Sequence, residues 1–408
     1  MHRFLNHRTE ILTTTLLVVA FSLAMTANAS DPPTEALTGF DNGTNGLVDQ
    51  PTHDTDTLVF EERDSIANGL GPVYNAQSCA ECHQSPVTGA GSQVSELRAG
   101  HRNSFGAFVD APGGSLINDR SIDAAIQERV PGAENIRTFR MSLNTLGDGY
   151  VEAIDSNTLL AIANSQPRQS GGRIAGTFIQ VPVLEAAGNN RGGRFGWKNQ
   201  NASLLSFSAD AYLNEQGITN NLVTQENTSM GNSVATYDTV PEPEDEDNDV
   251  EIFARFMRAT KAPPRDLALA ATPASRSGEQ LFSLIGCNIC HVTRIVTAPA
   301  GTLINGGAFS VPAALGNKVI HPYSDFLLHN VGTGDGIVQN GGQSTANKLR
   351  TPPLWGLRTR DRLLHDGSAL TRNDAIQRHG GEAATVINNY NSLSITQKNN
   401  LITFLNSL

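Results

Sequence analysis

Over most of its 408 residues the chain shows apolar positions in short bursts rather than long runs. Helical periodicity is clearest in the last third. Ile252, Phe253 and Phe256 share a face between Val250 and Thr260, and Pro263-Pro264 ends that segment. Ser277-Gly278-Glu279-Gln280 has the form of a capping box and predicts a helix carrying Leu281, Phe282, Leu284 and Ile285. Ser394-Ile395-Thr396-Gln397 is a second box. It opens a final helix with Leu401, Ile402, Leu405 and Leu408 on one side. Thr371-Arg372-Asn373-Asp374 is an acidic variant, predicting a short helix that ends at His379 and stops on Gly380-Gly381. Earlier in the chain, Phe60 to Leu70 predicts a short helix broken by Gly69 and Gly71-Pro72. From Arg102 to Asn232 glycine-rich turns separate brief apolar runs. One of these, Thr177–Leu184, fits a strand or a helix too short to distinguish.

Two stretches interrupt the apolar pattern. Residues 30–57 are polar and read as a loose arm, and residues 241–249 combine prolines with a block of acids that cannot bury apolar surface. The acidic block reads as a solvated linker between a region at 58–240 and another at 250–408. Asp245, Asp247 and Asp249 alternate as in a calcium loop, but the turn glycine and terminal Glu of that loop are missing.

The first 29 residues carry a different pattern. Arg3 and Arg8 precede an uncharged apolar stretch from Ile11 to Met25, and Ala27-Asn28-Ala29 follows. This predicts a secretory signal peptide cleaved after Ala29 and a periplasmic mature chain. The stretch is shorter than the roughly 20 residues of a spanning helix, so no membrane insertion is expected after cleavage. Losing Arg3, Arg8 and Glu10 takes the net charge from −11 to −12. That acidity disfavours nucleic acid and anionic membranes as partners.

Only four cysteines are present, too few to staple so long a chain. They form Cys79-Ala80-Glu81-Cys82-His83 and Cys287-Asn288-Ile289-Cys290-His291. Both match the c-type haem attachment signature, in which each thiol adds to a haem vinyl group and the next His ligates iron. A shared zinc site is a weaker reading, because about 200 residues separate the pairs where zinc ribbons hold about 15–20. A redox dithiol leaves the adjacent His unexplained. Two covalent haems are therefore expected, with His83 and His291 on iron. A helix leading into the second motif and an amphipathic helix closing the chain is the layout of a cytochrome c domain. The expected fold is mainly α: two cytochrome c-like haem domains with extensive loops and a few short strands.

The second axial ligand decides between electron transfer and chemistry. His379 is the leading candidate for the second haem, against the competing reading of a His stabilised by a helix C-terminus. Met141 and His53 are weaker candidates for the first.

Several motifs resemble those of the di-haem oxidoreductases related to bacterial di-haem cytochrome c peroxidases. They are the two haem motifs, Arg194-Phe195-Gly196-Trp197-Lys198, Leu349–Leu357, Leu364-His365-Asp366-Gly367 and Arg378–Ala383. In that family one haem is a peroxide site and the other relays electrons, usually with His and Met as ligands. The resemblance places His365 at a His-Asp-Gly position and His379 where the Met would stand. A bis-His haem sits at lower potential than a His/Met one. By the same resemblance His101, past the first motif, is a candidate distal residue at the first haem. Asp325 and His329 match the family without a role that spacing can assign.

Glu81, inside the first motif, and His365 complete the candidate catalytic set. Arg350 is a candidate partner for a haem propionate. Trp197 and Trp355 are candidates for packing on, or bridging, the haems. The expected function is peroxide reduction with electrons relayed from the second haem to the first, supplied by a small redox protein or a quinol-linked donor. A pure electron-transfer cytochrome, or an enzyme oxidising a thiol, sulfur compound or protein side chain, are the alternatives. The resemblance leaves open a calcium ion between the domains.

Overall fold

The computed structural model describes residues 32–408. The predicted signal peptide and its cleavage site lie outside them. Among the described residues no helix is long and apolar enough to cross a membrane.

The expectation of a mainly α fold is overturned. Ten α-helices share the described residues with fifteen short strands, arranged in six small sheets. Capping boxes announce helices, whereas strands of two or three residues carry no readable alternation, so the sequence pattern overweights the helices.

The largest sheet has four antiparallel strands. Ser95–Arg102 is flanked by Ile136–Met141 on one side and by Phe108–Asp110 and Leu116–Ile117 on the other. Its register sets Glu96 directly opposite Arg140 and Arg98 opposite Thr138. Because side chains alternate across a sheet, these four share one face.

Of four clusters of buried apolar residues among the described residues, two are large. The larger draws on residues from Phe60 to Trp355, on both sides of the acidic segment. The smaller uses Leu281, Phe282, Tyr323, Leu401, Phe404 and their neighbours. In the smaller core helix Pro273–Leu284 lies against helix Ile395–Leu405, with the Phe282 and Phe404 rings 5.3 Å apart. Gly278 permits that contact, because a Cβ there would stand 2.0 Å from the Asn400 carbonyl oxygen.

Most predicted helices are present. Asp249–Ala259 forms as expected, as do Arg372–Gln377 behind its Thr371 cap and Ile395–Leu405 with both halves of its capping box. Two differ. The helix expected to start at Ser277 starts at Pro273, because Thr272 accepts from the Ser275 N–H and proline fits the first turn. The helix expected from Phe60 instead runs Gln50–Glu61, capped by Asp49, and Ile66–Asn68 makes only one 3₁₀ turn.

The polar arm is packed where it is described. Thr34–Glu35 pairs in parallel with Lys318–Ile320, and the Asn45 amide donates to the carbonyls of Arg258 and Thr260. In the acidic segment Glu244 and Asp245 are buried. The Glu244 carboxylate accepts from the Thr219 N–H, and Asp245 accepts from the N–H groups of Asp249 and Val250, so it caps the next helix.

Candidate functional site

Each Cys-x-x-Cys-His segment folds as a 3₁₀ turn, Cys79–Glu81 and Cys287–Ile289, that carries its histidine to the wall of a cavity. The first cavity, of about 850 Å³, is lined by Cys79, Cys82 and His83 together with Phe60, Met141 and Trp197. The second, of about 230 Å³, is lined by Cys287, Cys290, His291 and His379 with Phe282 and Trp355. None of the four cysteines is paired in a disulfide. Burial pushes the Cys82 and Cys287 thiols up to about 12 and raises Cys79 and Cys290 as well.

The histidines are oriented alike. His83 Nδ1 lies 3.2 Å from the Ala90 carbonyl, His291 Nδ1 3.0 Å from that of Tyr323, and His379 Nδ1 2.8 Å from that of Ala375. A carbonyl only accepts, so Nδ1 carries the proton in all three rings and Nε2 keeps its lone pair. Burial pushes His83 and His291 down to about 4 and lowers His379, which keeps the rings neutral at physiological pH. This is the state a metal-ligating imidazole needs.

The cavity walls also fit an anionic macrocycle. Arg350 is buried, lines both cavities and spends its Nε–H on the Gly196 carbonyl. Arg360 lines the second cavity and donates to the Ser142 carbonyl, with no salt bridge to a carboxylate among the described residues. Arg372 also lines it, and its Nε–H is buried without a partner. Arg350 is buried and Arg360 and Arg372 half-buried; such cations lacking a carboxylate are costly unless an anion joins them, and haem propionates are anions of the right kind. The residues present therefore fit haem at both places.

Leu143, Trp197 and Arg350 belong to both cavities, so the wall between the two sites includes them. Other predicted residues are placed elsewhere. His101 lines neither cavity; it sits on the four-stranded sheet, its Nδ1 2.9 Å from a Glu134 oxygen. Glu81 pairs with Arg63 at 2.7 Å and Arg120 at 2.9 Å and also lines neither. His365 is buried with Nε2 3.2 Å from the Thr138 hydroxyl and Nδ1 unpartnered, its ring edge-on to Trp197 at 6.2 Å. His53 is buried in helix Gln50–Glu61, stacked on Phe256.

Sequence reasoning missed the acids of the first cavity. Glu96, Asp148, Asp210 and Glu215 all line it, beside Arg98 and Arg140. Glu215 accepts from the Asn75 amide, while Glu96 is bound by Arg98. Burial and then repulsion from Glu96 push Glu215 up to about 8, whereas Arg98 and Arg140 outweigh burial and hold Glu96 below its usual range. The alternation of Glu96 and Arg98 in a strand was the one available signal. Nothing in the sequence places Glu215 beside them.

Asp245, Asp247 and Asp249, which alternate as in a calcium loop within a segment that reads as linker, do not form such a cluster; among the described residues the three carboxylates whose oxygens stand within 4.8 Å of one another are those of Glu226, Glu242 and Glu244.

Two histidine-bearing turns, each opening on a cavity with arginines in its wall, fit a protein that holds two haems for redox chemistry. The chain belongs to the di-haem oxidoreductase family: the model described as "di-haem oxidoreductase, putative peroxidase" matches residues 118–408. The first Cys-x-x-Cys-His precedes that match. No curated protein sequence matches the chain. Among solved structures it is similar to a MauG-like protein associated with microbial copper homeostasis, with 15% identity, 93% of this chain and 94% of that chain covered, and a TM-score of 0.41. It is also similar to the diheme peroxidase BthA from Burkholderia thailandensis, with 14% identity, 92% and 95% covered, and a TM-score of 0.41. Hydrazine synthase from Kuenenia stuttgartiensis gives 15% identity, 98% and 100% covered, and a TM-score of 0.39.

Proposed function

We propose that the chain is a periplasmic di-haem c-type peroxidase. The observation that carries this reading is the pairing of two equivalent Cys-x-x-Cys-His turns with a shared wall that includes Trp197 and Arg350. Cys79 and Cys82, and Cys287 and Cys290, attach the haems as thioethers. His83 and His291 would each ligate an iron, and His379 would be the second ligand at the second site. Two haems so held would supply one-electron redox chemistry, the second site storing electrons and the first taking the oxidant.

The chain's own residues do the rest. Arg350, Arg360 and Arg372 bind propionates. Trp197 and Trp355 pack on the macrocycles, and Trp197 stands between them. Reducing one peroxide to two waters consumes two electrons and two protons, so the first cavity needs a proton donor. Glu215 is protonated at neutral pH and Glu96 ionised, an acid and a base side by side in the same cavity. The electrons come from a small redox protein or a quinol-linked donor outside the chain.

Stopped-flow mixing of the reduced, haem-loaded protein with peroxide tests the reading. Rapid oxidation of both haems is expected. Haems that stay reduced on mixing overturn it, and an all-low-spin ferric spectrum would instead mark an electron-transfer cytochrome.

A further inference from the structure

His329 lies between two carboxylates beside the second haem motif. Its Nε2 is 2.8 Å from Asp325 Oδ2, and its Nδ1 is 2.9 Å from Glu382 Oε2. Carboxylates offer only acceptors, so an imidazole that serves both must donate from both nitrogens, which only the imidazolium can do. The ring is 3% exposed and Asp325 is fully buried. Burial opposes the charge, but Asp325 first, then the contacts with Cys290 and Glu382, outweigh it and raise His329 well above its ordinary range.

The position of the charge is fixed from several sides. His329 belongs to strand Leu328–His329, paired with Leu349–Arg350. Gly176 packs on it so closely that a Cβ there would stand 2.8 Å from Nε2. The Gln166 amide donates both to Asp325 Oδ2, at 2.6 Å, and to the carbonyl of Ile289, inside the second Cys-x-x-Cys. The Nδ1 atom is 3.8 Å from Cys290 Sγ. Within the cluster His329 lines the second cavity, while Asp325 and Glu382 do not. The cation faces the cavity and the anions stand behind it.

We propose that His329 is a positioning residue for electron storage: held as a cation at the attached edge of the second haem, it raises the potential at which that haem is reduced. This rests on the di-haem reading above. Reduction adds one negative charge to the iron centre, and a nearby positive charge in a poorly solvated site favours it. A bis-His haem otherwise sits low. The buried imidazolium offsets part of that drop and keeps the second haem within reach of an external donor.

Potentiometric titration of the haem-loaded protein, followed by visible absorption, tests this with two variants. In His329→Gln the ferrous-to-ferric ratio of the second haem at fixed ambient potential should fall at least tenfold, about 59 mV for a one-electron couple. In Glu382→Gln, which removes a charge of the opposite sign, the potential should rise. Retention of the low-spin spectrum in each variant establishes that ligation is intact, which a merely structural loss would not preserve. A second wave that does not move in either variant, or moves the same way in both, overturns the proposal. If His329→Gln fails to load haem, Glu382→Gln decides alone: a rise supports the proposal and an unchanged potential overturns it. A wild-type protein with no low-spin second haem overturns the di-haem reading, and this inference with it.

Discussion

The indole N–H of Trp197 donates to the main-chain carbonyl of Met141 at 2.9 Å, tying a loop residue between the two cavities to the edge strand of the four-stranded sheet. The Met141 N–H in turn donates to the carbonyl of His365, so one residue joins segments from three parts of the chain. Trp197→Phe keeps most of the apolar contact but leaves a buried carbonyl without its donor. The expected cost is about 1–3 kcal/mol of stability, read by denaturant unfolding of the haem-loaded protein. In single-turnover mixing with peroxide the second haem should be oxidised more slowly while the first reacts as before. Equal slowing of both haems would show that Trp197 shapes the first cavity rather than the wall between them.

The two Cys-x-x-Cys-His turns on the cavity walls were legible because the motif fixes residue type and spacing together: Cys79, Cys82 and His83 follow one another closely in sequence. The place of His379 at the end of a short capped helix was legible for a related reason, since helix and cap are local. The first cavity was not. Glu96 sits in a strand of eight residues and Glu215 more than a hundred residues later. Only the fold brings them to one cavity, and no local pattern encodes that meeting. His101 illustrates the converse. Its spacing from the first motif suited a distal residue, yet the strand alternation that sends Glu96 and Arg98 to the cavity leaves His101 beside Glu134 instead. The small strands went unread because two or three residues carry no period.

Glu215 predicts a pH dependence. Burial first, and Glu96 second, raise it from 4.5 to about 8. Between those values the folded protein keeps a proton that the unfolded chain releases, so this group's contribution to stability falls as pH rises through the interval. Glu96 shifts the opposite way, and its contribution is lost only as pH falls below the ordinary carboxylate range. In the window from pH 5 to 8 Glu215 therefore dominates the pair. Glu215→Gln should gain stability relative to wild type as pH rises across that window, measured by thermal unfolding. Its reaction with peroxide should be slower at every pH and lose the decline expected of wild type above about pH 8. A stability difference that is flat with pH would mean Glu215 is ionised in the folded protein.

His379 has its Nδ1 proton on the Ala375 carbonyl, which leaves Nε2 as the only ring nitrogen free to ligate. His379→Ala should convert the second haem from low to high spin in the ferric electron paramagnetic resonance spectrum. Added imidazole should restore the low-spin signal, because the space of the lost ring lies on the cavity wall. An unchanged spectrum would remove His379 from the ligand set.

Asp335 holds the wall behind the first cavity. Its side chain is fully buried, 2.7 Å from Arg140 Nη2 and 2.9 Å from Lys198 Nζ, and both of those side chains are buried too. Lys198 also donates to the carbonyls of Thr345, Ala346 and Lys348, so the cluster joins the sheet, the Trp197 loop and the segment before Arg350. Burial alone would raise Asp335, but Arg140 and Lys198 hold it below the usual carboxylate range. Asp335→Asn leaves two buried cations with no anion between them. Removing one partner from such a site costs about 3–5 kcal/mol. Lys198, already pushed down to about 8 by burial against the pull of Asp335, should then lose its proton below neutral pH. The variant should accordingly unfold well below wild type in a thermal melt, and its deficit should shrink as pH rises and Lys198 discharges. A deficit under about 1 kcal/mol, the range of a surface pair, would mean that water reaches the cluster and that it does not brace the cavity wall.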